Sequence, residues 1–88
     1  MLILAEKTFL KDVEKIRVKS VLLKLQEIIE SIRRAETLDE ISDVKKLTGS
    51  KNYFRLRFGN YRIGFKFQNK EIKLIRILHR KEIYSYFP

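Results

Sequence analysis

The sequence predicts an α+β fold: a short N-terminal strand, a helical hairpin, then a three-stranded antiparallel meander, making a four-stranded sheet with the helices on one face. Two patterns carry the prediction. Val21, Leu22, Leu25, Ile28, Ile29 and Ile32 recur at helical spacing, with Lys24, Gln26, Glu27, Glu30, Arg33 and Arg34 on the opposite face. From Tyr53 to Phe67, by contrast, apolar and cationic residues alternate at period two, interrupted by Gly59-Asn60. The 88 residues suffice for a single domain, 1–88, with one modest core.

The elements follow in order. Leu2 to Ala5 is a short apolar run that reads as the first strand. Phe9, Leu10, Val13 and Ile16 then share one face of a short helix, and the segment IRVKS joins it to the second, stronger helix without a glycine, as in a helical hairpin. Thr37 and Glu40 fit a capping box for a brief helical turn. Gly49 ends that connection, and strands run from Tyr53 to Phe58, Tyr61 to Phe67 and Glu71 to Leu78, joined by Gly59-Asn60 and by Gln68-Asn69-Lys70. Phe54, Leu56, Phe58, Tyr61, Ile63, Phe65 and Phe67 form the face that takes the helices; Arg55, Arg57, Arg62 and Lys66 fall on the other. Arg76 breaks the pattern of the third strand, since it shares parity with Ile72, Leu74 and Leu78, and a bulge is one remedy. Gly64 inside a strand marks a bulge or close packing. The ending HRKEIYSYFP holds one helical turn at most, with Tyr84, Tyr86 and Phe87 able to fold back on the sheet and one of the tyrosines expected as a core anchor.

Charge is distributed unevenly. Residues 1–44 carry eight Lys and Arg against nine Asp and Glu, whereas residues 45–88 carry twelve against two, so the formal charge of +9 arises entirely in the second half. Because those cations interleave with strand residues, folding orders them into a surface suited to polyanions, nucleic acid above all. The chain has no cysteine, which excludes a disulfide framework or thiolate zinc site and suits a reducing compartment such as the cytoplasm. One histidine and scattered acids leave no metal-ligand spacing, and no glycine-rich phosphate loop is present, so no cofactor is expected. The opening MLILA is too short for a signal peptide or a membrane span.

Arginine pairs bidentately with phosphate and keeps its proton at neutral pH, so Arg55, Arg57 and Arg62 on one face make a phosphate clamp. On RNA the same clamp stabilises the extra charge of a phosphorane as a neighbouring 2′-hydroxyl attacks. Proton transfer then needs other groups, for which His79 and Tyr84 or Tyr86 are the candidates. Arg80 follows His79, and a tyrosine also suits stacking on a base. Lys45, Lys46, Lys51, Lys66 and Lys81 are candidate RNA-binding cations that add to the field.

The order of elements, together with VKKLTG, YFRLRFGNYRIGF, RILHRKEIY and the terminal YFP, resembles the RelE/ParE superfamily of type II toxins, and the RelE side more closely. The resemblance spans nearly the whole chain. It implies a microbial-ribonuclease-like α+β fold, a cognate RelB-like antitoxin as partner, and metal-independent, ribosome-dependent cleavage of mRNA in the A site by 2′-hydroxyl attack. Carried over by position, Arg55 and Arg57 stand where the best-known members have lysines, Arg62 matches the arginine of the next strand, Arg80 the arginine after the last strand, and Tyr84 the C-terminal tyrosine. Arginine stabilises charge but does not accept a proton, so the two lysine-to-arginine changes move the general base elsewhere, with His79 the first candidate. Two further readings are a ParE-like toxin that inhibits gyrase by binding, and a non-catalytic RNA-binding module.

Overall fold

The computed structural model describes residues 1–49 and 51–88. Strand β1 (Leu2–Ala5) leads into helix α1 (Lys7–Glu14) and helix α2 (Lys19–Arg34). A 3-10 turn over Leu38–Glu40 precedes strands β2 (Val44–Lys46), β3 (Tyr53–Phe58), β4 (Tyr61–Gln68) and β5 (Glu71–His79), and one last turn, α3 (Ile83–Tyr86), closes the chain. The α+β class agrees with the sequence reading. Among the described residues the sheet has five strands rather than four, in the order β1-β5-β4-β3-β2. The added strand, β2, is three residues long and is defined by its antiparallel pairing with β3, Lys45 lying opposite Arg55 and Lys46 opposite Phe54. Flanking backbone bonds, Arg57 N–H to the Asp43 carbonyl and Leu47 N–H to the Tyr53 carbonyl, each 3.0 Å, extend that pairing.

Both helices pack on one face of the sheet. Phe9, Ile16, Leu25 and Ile32 meet Leu56, Ile63, Phe65, Ile72, Leu74 and Ile77 in one cluster, which removes the apolar side chains of helix and strand from water together. Leu10, expected on the buried side of α1, is 52% exposed. Asp12 is buried in its stead, for a reason that lies in β5.

Strands β4 and β5 slip register between Gly64 and Phe65: Phe65 pairs with Leu74 but Gly64 with Arg76, leaving Ile75 as the extra residue. The bulge reverses the parity of β5. Ile72, Leu74 and Ile77 thereby all face the helices, and Arg76 moves to the opposite face, which resolves its anomalous spacing. β1 pairs β5 only as far as Leu74, so the outer edge of β5 beyond that point needs another partner. Helix α1 supplies it. The Thr8 hydroxyl donates to the Ile75 carbonyl at 2.6 Å, and the Asp12 carboxylate accepts the Ile77 N–H at 3.0 Å and the Arg76 guanidinium at 2.7 and 3.0 Å. Asp12 thus closes a sheet edge and neutralises Arg76 with the same two oxygens. The hydrogen bond to Asp12 holds the Arg76 guanidinium above its ordinary pKa.

The capping box is formed. The Glu40 carboxylate accepts the N–H groups of Glu36 and Thr37, each at 2.9 Å, which pins the connection into β2. Among the described residues no helix is long and apolar enough to cross a membrane.

Candidate active site

The face opposite the helices is cationic, as the alternation predicts, but its centre is covered. Arg55, Gly64 and Arg76 form one row across β3, β4 and β5. The ring of Phe87 lies on Gly64, where a Cβ would come within 2.5 Å of its carbons. Ile83 and Phe87, buried to 0% and 6% exposure, anchor the C-terminal turn there, so the anchors are these two residues and not a tyrosine. Tyr84 and Tyr86 point outward instead. Tyr84 sits over the Arg55 guanidinium, 4.6 Å from carbon to ring centroid, and Tyr86 over Arg76 at 5.6 Å.

This arrangement leaves an open cleft of about 350 Å³ on the β2 side of the turn, lined by Asp43, Val44, Lys45, Arg55, Arg57, Arg62 and Tyr84. The two-residue Gly59-Asn60 loop, with Gly59 at φ 55°, sets the register that places Arg57 opposite Arg62. Arg62 is oriented by its own turn: its Nη1 donates to the carbonyls of Gly59 at 3.0 Å and Tyr61 at 2.8 Å. Arg57 donates to the Asp43 carboxylate at 3.2 Å in a pair that is half exposed on both sides, a contact worth less than about 1 kcal/mol and therefore open to exchange with a phosphate. Among the described residues, Arg55 and Arg62 have no carboxylate partner. Four cations, Lys45, Arg55, Arg57 and Arg62, against the single carboxylate of Asp43 leave three positive charges uncompensated around one concavity, an anion site by Coulomb attraction alone.

Of the residues singled out from the sequence, Arg55, Arg57, Arg62, Tyr84 and Lys45 come together here. The others do not. Lys46, in register with Phe54, points to the other face of the sheet. Lys66 lies opposite Tyr53, away from Arg57 and Arg62, 6.0 Å from the Tyr53 ring. Lys51 is exposed in the loop before β3, and Arg80 and Lys81 are exposed in the turn after β5, with the Arg80 N–H bound to the Asn60 carbonyl. His79, expected as the first candidate for the base, pairs with Tyr61 and shares its face, the one that carries the helices. The reason is the bulge at Ile75, which fixes the parity of every later residue in β5. The imidazole packs edge-on against Tyr61 and its Nδ1 accepts the Lys81 N–H at 3.3 Å. Asp43 precedes the alternating region, so the strand pattern does not mark it. Its signal lies in the backbone: it takes φ 62°, a left-handed conformation that aspartate tolerates better than most residues, and so turns its carboxylate onto Arg57.

The model of the family described as the ParE toxin of type II toxin-antitoxin systems, parDE, matches residues 3–84. The chain belongs to this family. The toxin is 40% identical to Toxin RelE3 of Methanocaldococcus jannaschii over the full length of both proteins. Its fold matches a chain of the RelB-RelE antitoxin-toxin complex from Methanococcus jannaschii with a TM-score of 0.82 and 40% identity, covering 97% of this chain and 99% of that one. The RelE-RelB complex from Pyrococcus horikoshii matches at 0.70 and 23% identity, covering 90% and 93%, and shares the fold. With relatives of this kind over its whole length, the toxin is a type II toxin of the RelE type.

Proposed function

We propose that the toxin cuts messenger RNA in the ribosomal A site and that the cleft between β2, β3, β4 and Tyr84 is where the phosphodiester reacts. The observation that carries this reading is the convergence of Arg55, Arg57, Arg62 and Tyr84 on one cleft with a carboxylate, Asp43, at its rim. Arg55 and Arg62 hold the two non-bridging oxygens. Arg57 exchanges Asp43 for the phosphate, and the released carboxylate accepts the proton of the attacking 2′-hydroxyl. The O2′–P bond forms as the P–O5′ bond breaks, and the leaving 5′ oxygen takes a proton from the Tyr84 hydroxyl, which shares the cleft. The products are a cyclic phosphate and a 5′-hydroxyl. The arginines gain most as the phosphorane accumulates charge, so they accelerate the step and do not merely bind.

An acidic RelB-like antitoxin is the partner this surface suits: negative charge laid over Arg55, Arg57 and Arg62 blocks the phosphate site directly. Translation places the target, and hence the toxin, in the cytoplasm. On expression of the toxin alone, primer extension on a translated message should show cuts at A-site codons, lost in Arg62→Ala. Intact message during growth arrest would refute the reading. The ParE description of the matching family favours one alternative, inhibition of gyrase, in which added toxin would reduce supercoiling and leave message whole.

A further inference from the structure

On the far side of the C-terminal turn lies a second cleft of about 410 Å³, bounded by α1, the end of β5 and α3. It takes no part in the chemistry above, and its size falls within the range of small-ligand sites. We propose that it is a second nucleotide-binding subsite, which takes one base of a single-stranded RNA against Tyr86 and the adjoining phosphate on Lys15.

Four features support this. The Asp12–Arg76 pair lines the cleft with charges already matched to each other, and Arg76 lies beneath the Tyr86 ring, which is left 59% exposed as a stacking surface. His79 and Glu82 line the same cleft. Because the Nδ1 of His79 accepts the Lys81 N–H, the neutral imidazole carries its hydrogen on Nε2 as a donor, while the Glu82 carboxylate is an acceptor. A donor and an acceptor lining the same cleft as a stacking ring are the groups that read the edge of a base.

Lys15 adds a cation to the lining of the cleft, and it does not stand alone. Lys7, Lys11 and Lys15 repeat every four residues along α1 and its C-terminal cap, all exposed, at steps of roughly 6 Å along the helix axis. The near-neutral total of residues 1–44 conceals this row. Residues 7–19 hold five Lys and Arg against Asp12 and Glu14, and Asp12 is already taken by Arg76. Tyr84 and Tyr86, two positions apart on one turn, project to opposite sides of α3, one into each cleft. An RNA strand that leaves the arginine cleft across α3 therefore arrives at Tyr86, and its phosphates continue along the lysines.

The choice of RNA as occupant rests on the proposed cleavage of message; the test does not. The toxin has one histidine, so its imidazole gives a single set of ring-proton resonances. A short 2′-O-methylated single-stranded RNA, which cannot be cut by 2′-hydroxyl attack, is titrated into the toxin and into Arg62→Ala. The His79 resonances should shift in both. Tyr86→Ala or Lys15→Glu should weaken the apparent affinity read at His79 roughly tenfold, and Tyr86→Phe should restore it. Both positions are exposed, so the fold is retained, and an unchanged amide spectrum verifies it. A His79 signal that does not move in the wild-type toxin, or one whose response is indifferent to Tyr86→Ala and Lys15→Glu, overturns the proposal. If message cleavage fails but His79 still shifts, the second subsite stands and the reading of the first cleft falls.

Discussion

Replacing Asp12 with alanine removes three hydrogen bonds from a single carboxylate, two from Arg76 and one from the Ile77 N–H. Asp12 is 5% exposed, so water cannot take its place without opening the edge of β5. Removing one partner of a fully buried ion pair costs about 3–5 kcal/mol, and the Arg76 side chain, at 22% exposure, recovers some hydration. The expected loss is therefore at the low end, about 3 kcal/mol. A domain of this length is stable by roughly 4–13 kcal/mol, so the variant should still fold. Its thermal midpoint should drop by about 12–24 °C, at about 4–8 °C per kcal/mol. Asp12→Asn keeps the shape and one acceptor and should lose about half as much. Urea and thermal unfolding followed by circular dichroism measure both variants. A loss below about 1 kcal/mol for Asp12→Ala would refute the assignment of Asp12 as the closure of the β5 edge.

Three further outcomes follow from particular contacts. Gly64→Ala drives a methyl group into the Phe87 ring and should cost about 1–3 kcal/mol, with message cleavage falling as Tyr84 is displaced; an unchanged unfolding midpoint would contradict the packing of the C-terminal turn. Lys70 occupies φ 59° in the two-residue Asn69-Lys70 loop, so Lys70→Gly should raise stability by about 0.5–1 kcal/mol, and a lowered thermal midpoint would count against that turn. The N–H groups of Glu36 and then Thr37 hold the Glu40 carboxyl below its ordinary pKa. The stabilisation from this cap is thus complete above the ordinary glutamate range and is lost as pH falls through the lowered folded value. The amide shifts of Glu36 and Thr37 should report a midpoint below that range; a midpoint at or above it would exclude the cap.

Most of the fold was legible because helix and strand periodicities are local. The six-residue stripe of α2 and the alternation from Tyr53 to Phe67 each specify a buried face without reference to the rest of the chain. What escaped depends on partners distant in sequence. β2 is too short to alternate and exists through its bonds to β3. The bulge at Ile75 was visible only as the misplaced Arg76 and the glycine opposite it, and that single insertion carried His79 to the helix side. Asp12 stood in plain view within the Phe9–Val13–Ile16 stripe, the one acid on an apolar face, and its burial could have been inferred by asking which cation it meets. Of the candidate site, the three arginines and Tyr84 were legible from alternation and from the C-terminal motif. Asp43 was not, since nothing local announces that a residue fourteen positions before Arg57 will turn onto it.

On the proposed mechanism, the arginine cleft promotes attack by a 2′-hydroxyl on the message held in the ribosome. This is tested most directly with purified toxin and ribosomes programmed with a message whose A-site codon carries a single 2′-deoxynucleotide at the position of the cut. Cleavage of the all-ribose message to a cyclic phosphate is expected, with none of the deoxy-substituted message and none of either by Arg62→Ala. Cleavage that persists at the deoxy position, or that survives Arg62→Ala undiminished, would contradict that mechanism.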